Sequence, residues 1–480
     1  MSVVLPALIL VPLLTAGVVA LARRASDRTS DVLCNIGVFA VLGVALAAGG
    51  RALTGGSLAW SLGGASPLGV NLALDGLSAL MLIIIAVGSV VACIYSVSYM
   101  QAYTSKANYY VLFLLMLAGM NMVVLGADLL NMYVGIEVAA LACYALVAYG
   151  LGKEYLEASF KYQVLGTVGT LCLLAGIGLF YLEVGTLSFS ALAVSSIRAG
   201  GLPVVLLLSG FALKAAFVPY HAWLPDAHST APSPVSALLS GVFIKVVGLY
   251  GLMRLLFVVF VPGSVYSTVL LIVASLSIIA GALLAIVQTD MKRLLAYCTI
   301  SQMGYVLLGL AIGTPLAIVG ALFHMVNHAA FKELFFLGAG AVERQAGTRD
   351  ISALGGLNSR MPITGITSAI AFFSVTGCPP FSGFWSKLII IVAAVQAGLI
   401  GFAAVAAIGA VITIGYFLKY ELGVFFGALP ERLRGVDEGP ASMWAPLVAL
   451  AVFCVALGLA FPWVIQYLLL PAVGTIMIGA

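Results

Sequence analysis

Charge is scarce in this chain. Only 8% of its 480 residues are Asp, Glu, Lys or Arg, whereas a soluble domain carries about 25%. So few ionic groups cannot solvate a globule of this length, which leaves a polytopic membrane protein. No basic run exceeds two residues, so there is no electrostatic footprint for nucleic acid. The seven cysteines, Cys34, Cys93, Cys143, Cys172, Cys298, Cys378 and Cys454, stand singly without a CxxC. Neither a zinc site nor an iron–sulfur site is signalled, and they read as small packing residues. A nucleotide-binding loop and a redox motif are also missing, so no cofactor and no metal are expected. The opening "MSVVLPALILVPLLTAGVVALARR" has no basic residue ahead of its apolar run, so a cleaved signal peptide is not expected.

Apolar sequence is what the chain has in quantity: 63% of residues are hydrophobic and the mean hydropathy is +1.19. Windows of about 20 apolar residues predict fourteen spans, at 3–22, 32–49, 72–99, 109–126, 129–150, 159–183, 203–224, 234–260, 264–288, 294–313, 316–340, 361–394, 398–427 and 441–469. The expected fold class is an all-α polytopic membrane protein with short connections. The longest stretches between spans are 50–71, 184–202 and 341–360.

Lysine and arginine test the span count independently. With the N-terminus outside, the inner connections collect Arg23, Arg24, Arg28, Lys106, Lys153, Lys161, Lys292, Arg293, Arg344, Arg349, Arg360, Arg432 and Arg434. The outer side holds Arg51, Arg198 and Arg254. Thirteen against three fits the positive-inside rule for a cytoplasmic, inner-membrane protein with both termini outside.

Five lysines remain, at 214, 245, 332, 387 and 419, and all fall within expected spans. A charge at the bilayer centre costs about 2.5–3.5 kcal/mol. The first four would together cost roughly 10 kcal/mol if they faced lipid; Lys419 could reach an interface. Lys214 and Lys387 lie in similar surroundings, "LKAAFVPYHAWLP" and "GCPPFSGFWSK", where prolines interrupt long apolar spans. Proline frees carbonyls, which a membrane tolerates only where protein or water satisfies them. The broken spans are the seventh and twelfth. A five-span offset makes them the counterparts of an inverted repeat, the arrangement that points to a transport path at mid-membrane. The expected organisation is spans 1–3 in 1–108, a first repeat in 109–260, a second in 264–427 and the last span in 428–480.

The acid expected to pair with a buried lysine is Glu137, about eight residues into the fifth span. A Lys–Glu pair of changing separation would control when the lysine releases its proton. In "FHMVNHAAFKELFFLGAG", His324, His328 and Lys332 recur at i, i+4 and i+8 and share one helical face. Such a stripe, about 12 Å long, suits a relay, because histidine titrates near neutral pH. A zinc site on the HxxxH pair and two hydrogen-bonded core histidines are the alternatives; the first lacks a third ligand. His221, Asp226 and His228, at the end of the seventh span, read as a polar access point or a capped turn. Lys419 and Glu421 are two apart and do not face each other on a helix.

The combined stretches "AAFVPYHAWLPDAHSTAPSPVSALLSGVFIKVVGLYGLMR", "DMKRLLAYCTISQMGY", "HAAFKELFFLGAG" and "GCPPFSGFWSK" resemble the antiporter-like subunits of respiratory complex I, membrane-bound hydrogenases and Mrp-type Na⁺/H⁺ antiporters. The resemblance runs from about residue 70 to 430. It implies a fourteen-helix core with two inverted five-helix repeats and a proton path through half-channels. It also implies roles: Glu137 and Lys214 as the ion pair, Lys245 as the central lysine of the first half, His328 and Lys332 as the link, and Lys387 as the terminal lysine. The chain's end soon after the last span and the lysine at 387 favour the D-type Mrp subunit, the N-type complex I subunit or the matching hydrogenase subunit. Cys378 departs from the branched aliphatic residue more usual there.

The expected function is therefore proton translocation along a Glu–Lys–His–Lys axis, driven from outside the chain. Expected partners are other membrane subunits of a hetero-oligomeric complex, a peripheral iron–sulfur redox arm, protons, and sodium. A stand-alone proton-coupled transporter and a structural subunit without conduction are the alternatives.

Overall fold

The structure, a computed structural model, describes residues 3–24, 26–64, 69–194, 201–258 and 265–477. Arg198, counted above with the outer charges, lies outside the described residues. The main helices of the first half are α1 (Val4–Leu21), α2 (Asp27–Leu53), α3 (Gly76–Tyr99), α4 (Lys106–Leu125), α5 (Leu129–Val147) and α6 (Lys153–Val184). They are followed by α7 (Leu202–Lys214), α8 (Trp223–Thr230) and α9 (Ser233–Phe257). The second half holds α10 (Val265–Ile286), α11 (Met291–Ile312), α12 (Pro315–Ala346), α13 (Pro362–Thr376), α14 (Ser382–Gln396) and α15 (Ile400–Phe425). Two last helices are α16 (Ala441–Leu459) and α17 (Phe461–Met477).

The few acids do local work at helix starts. Asp75, Asp128 and Asp290 cap α3, α5 and α11, accepting from the amides of Ser78, Asn131 and Arg293 at 2.9, 2.7 and 2.9 Å. A carboxylate there satisfies an orphan donor and sits well on the helix dipole. Burial opposes the charge of Asp75, but Arg254 at 2.7 Å, together with Ser78, holds its carboxyl below the ordinary range.

Eleven described helices are long and apolar enough to cross a membrane: α1–α6, α9–α11, α15 and α16. α12 has the length, at 32 residues, but its composition is too polar. The two interrupted spans are each two short helices, α7 with α8 and α13 with α14, and each break contains a cis proline, Pro219 and Pro380. The expected last span, 441–469, is also divided, since α16 ends at Leu459 and α17 restarts at Phe461–Pro462. The all-α expectation holds, with one small hairpin beside the helices. Leu58–Leu62 (β1) and Val70–Leu74 (β2) pair antiparallel, so α3 begins at Gly76 rather than at 72.

The alternation of spans is visible in which connections meet. Glu154 and Glu157 of α6, Asp226 of α8, Asp290 and Arg293 at the start of α11, and Arg349 line one charged cleft of about 460 Å³. All belong to connections expected on the inner side. Among those expected outside, Leu72 bridges Gly126 and Asp128 bridges Ser188. The described chain ends lie on that second side: α1 touches the hairpin, and Thr475 of α17 accepts from the Leu77 amide at 3.3 Å.

α12 is the core of the molecule, with every residue from Ala317 to Val342 buried. The most extensive helix pairs are α4 with α5 and α10 with α11, and both close on glycine. A Cβ on Gly119 would lie 2.5 Å from the Ala139 nitrogen, and one on Gly281 would lie 2.6 Å from the Ser301 nitrogen. Small residues let membrane helices approach at backbone distance. Gly119→Val or Gly281→Val should therefore cost at least about 1–3 kcal/mol through overpacking. The melting temperature of the detergent-solubilised protein measures it, with Gly17→Val, which meets nothing within 4 Å, as the neutral control.

Candidate ion-translocation site

The first half supplies α5, α7 and α9. Glu137 on α5 is partly buried, and its Oε1 has no hydrogen-bond partner. Lys214, the last residue of α7, is buried and donates to the Tyr144 hydroxyl at 3.3 Å. Tyr144 follows Glu137 by seven residues, two turns up the same face of α5. The expected direct pair between Glu137 and Lys214 is not formed; their charges act on each other through space, with a phenol on the lysine.

The break after α7 separates three residues that the sequence grouped together. His221 is partly buried in the turn. Asp226 faces the charged cleft and pairs with Lys161 and Arg293, both at 3.1 Å. His228 is fully buried, stacks on Phe336 at 5.1 Å, and has no partner for either ring nitrogen. Asp226 therefore belongs to the surface and His228 to the interior.

At the centre, α9 is wound as π-helix over Leu239–Phe243 and Lys245–Tyr250. A wide turn displaces carbonyls from the regular ladder, and such turns recur at functional sites. Lys245 uses this. Fully buried, it donates to the Ser240 carbonyl at 2.8 Å and to that of Gly241.

The stripe on α12 is formed as expected, with His324, His328 and Lys332 all fully buried. His324 Nδ1 meets the Ser386 hydroxyl of α14 at 3.0 Å, while its Nε2 and both His328 nitrogens have no partner. Lys332 donates to the Leu295 carbonyl of α11 at 2.7 Å and lies 5.8 Å from the Phe417 ring centroid. One residue after Ser386, Lys387 donates to the Val375 carbonyl at 2.7 Å. That carbonyl is among the last four of α13, which lack an intrahelical partner because the helix ends at the break.

Lys419 and Glu421 do not meet. Lys419 donates to the Ile286 and Gln288 carbonyls at 2.9 and 2.7 Å, closing the end of α10. Glu421 is buried on another face and accepts from Ser368 at 2.6 Å.

Four buried residues went unread in the sequence. Tyr144 could have been found from its i+7 spacing to Glu137. Cys298, read as packing, lies beside Lys332. Lys292, counted as a loop charge, is buried against the Ala231 carbonyl at 2.7 Å and Glu343 at 3.4 Å. Glu333 is adjacent to Lys332 and equally hidden. Among the described residues, no group of three or more His, Cys, Asp or Glu side chains could hold a metal ion.

Residues 126–413 match the family model described as NADH:quinone oxidoreductase/Mrp antiporter, transmembrane, and residues 60–110 match that of the N-terminus of complex I chain 5. The chain belongs to the NADH:quinone oxidoreductase/Mrp antiporter family. The N subunit of the NADH-quinone oxidoreductase of Desulforudis audaxviator is 35% identical over 415 residues, 82% of each chain. The D subunit of the Na⁺/H⁺ antiporter of Alkalihalophilus pseudofirmus is 33% identical over 409 residues, covering 84% of this chain and 83% of that one. A chain of the Mrp complex from Dietzia sp. superposes with a TM-score of 0.92 at 29% identity, over 99% of this chain and 98% of the other. A chain of the archaeal membrane-bound sulfane sulfur reductase gives 0.92 at 29%, over 100% and 98%. The fold is thus that of an antiporter-like, multi-pass membrane subunit, and these relatives are members of multisubunit membrane complexes.

In this antiporter-like subunit, Tyr144→Phe keeps the ring and removes the acceptor of a buried ammonium, a bond worth about 1.5–3 kcal/mol. The melting temperature of the solubilised protein should fall. Repeating the substitution in a Lys214→Met background should abolish most of that fall, which a double-mutant cycle checks.

Proposed function

We propose that this chain is the proton-translocating subunit of a multisubunit membrane complex, and that Glu137, Lys214, Lys245, His328, Lys332 and Lys387 carry the protons, with His324 joining the last two. One observation carries the reading: buried titratable side chains follow one another from α7 through α9 and α12 to α14, with unpartnered histidine nitrogens between the lysines. A buried polar group without a hydrogen bond costs free energy that water removes. A hydrated thread along this line satisfies those nitrogens and lets protons move.

Stretches 109–260 and 264–427 act as the two inverted repeats, with Lys214 and Lys387 at their breaks. His228 extends the first half inward. Asp226, with Lys161 and Arg293, marks the access cleft, and His221, in the turn, is a further access position. Lys419 and Glu421 are entry or accessory positions of the second half. The charge bias puts the cleft on the cytoplasmic side of the inner membrane, with both termini outside. The driving force comes from partners, either a peripheral iron–sulfur arm or an opposing sodium gradient, and the co-purifying subunits distinguish the two.

The field of Glu137 reaches Lys214, and a shift in either alters how firmly the ammonium keeps its proton. Glu137→Gln should assemble normally and lower proton translocation at least tenfold, read as dye-reported acidification in vesicles containing the intact complex. Full translocation in that variant overturns the reading.

A further inference from the structure

Glu333 has no place in the axis just described, yet its surroundings are built around it. It is 2% exposed, and its Oε2 has no hydrogen-bond partner. Two glycines make room for it. A Cβ on Gly88 of α3 would come within 2.3 Å of its Oε1, and a Cβ on Gly241 of α9 within 2.5 Å of its Cγ. Gly241 is also the residue whose carbonyl, with that of Ser240, receives the Lys245 ammonium. The carboxylate and the ammonium thus converge on one π-wound turn from opposite elements, and their charges act on each other. On its other side, Glu333 is the one titratable residue lining a cleft of about 70 Å³, otherwise walled by apolar side chains of α3, α12, α16 and α17.

We propose that Glu333 is the acid partner of Lys245 and a proton-carrying position of this chain. The step conserves atoms and charge: the Lys245 ammonium gives one proton to the Glu333 carboxylate, leaving a neutral amine and a neutral carboxyl, and the reverse transfer restores both ions. Neutralising the pair together lets Lys245 lose its charge without leaving a bare carboxylate in the membrane, where an isolated ion is costly. The inference rests on the proton-carrying reading above.

The test uses the intact complex with Glu333→Gln, Glu333→Asp, Lys245→Met and the double variant Lys245→Met/Glu333→Gln. Glu333→Gln should lower the initial rate of proton translocation at least tenfold, and Glu333→Asp should keep at least a third of it. Each single neutral variant should reduce the yield of assembled complex, and the double variant should recover at least half of the loss, because neither charge is then stranded. A Glu333→Gln rate within twofold of wild type overturns the proposal. So does a double variant that assembles no better than the worse single one, an outcome that decides the matter even where Glu333→Gln alone fails to assemble. Activity lost in Glu137→Gln but kept in Glu333→Gln removes this inference and leaves the axis standing. Activity kept in both removes the axis as well.

Discussion

An ammonium group taken out of water needs negative charge close by, and in this protein main-chain carbonyls provide it. Lys245, Lys332, Lys387, Lys292 and Lys106 each donate to at least one backbone oxygen. An ordinary helix has no carbonyls to spare except in its last turn. The interruptions of α13–α14 and the wide turns of α9 supply the two central lysines with acceptors that a regular helix would have used internally. These breaks, an expense for any membrane helix, are therefore the condition for keeping cations in the core. A carbonyl dipole also holds an ammonium less firmly than a carboxylate would. Lys332 and Lys387, held by carbonyls alone, can release a proton without stranding an unpaired acid.

Charge is distributed by depth. At the two ends of the molecule it is paired: Asp31 with Lys106 at 2.8 Å, Asp75 with Arg254 at 2.7 Å, Asp226 with Lys161 and Arg293 at 3.1 Å, and Asp290 with Arg349 at 3.1 Å. In the middle no lysine meets an acid in an ion pair among the described residues. Paired ends fix helices in register, while the unpaired middle leaves titratable groups responsive to small changes in their neighbours.

Most of the architecture was legible in the sequence because lipid enforces a simple rule, that long apolar runs are helices. The thirteen-to-three split of lysine and arginine predicted which connections share a face, and four of those expected inside meet at the charged cleft. The interruptions at Pro219 and at Pro379–Pro380 were legible because those prolines stand in aromatic-rich turns beside a lysine, whereas Pro12 and Pro446 lie inside unbroken helices. What escaped depended on contacts between elements distant in sequence. Glu333 lies 88 positions after Lys245, and nothing local marks it as facing Gly241 rather than lipid. Lys106 and Lys292 looked like loop charges because they stand at span ends, and only the fold shows them turned inward. The hairpin at 58–74 was hidden by its glycines and serines, which read equally well as a loop. The Glu137–Lys214 pair was expected in contact because opposite charges attract. Packing put a tyrosine hydroxyl on the lysine instead.

α12 runs unbroken for 32 residues, a rod of about 48 Å lying against both halves of the molecule. His324, His328, Lys332 and Glu333 are mounted on it together, whereas Lys214 and Lys387 sit beside helix breaks. A rod offers few independent movements. A turn of α12 about its own axis moves His324 relative to Ser386 and Glu333 relative to Lys245 in one gesture, before any side chain changes rotamer. Events in the two halves then share a single mechanical coordinate, much as cams on a common shaft keep time with one another.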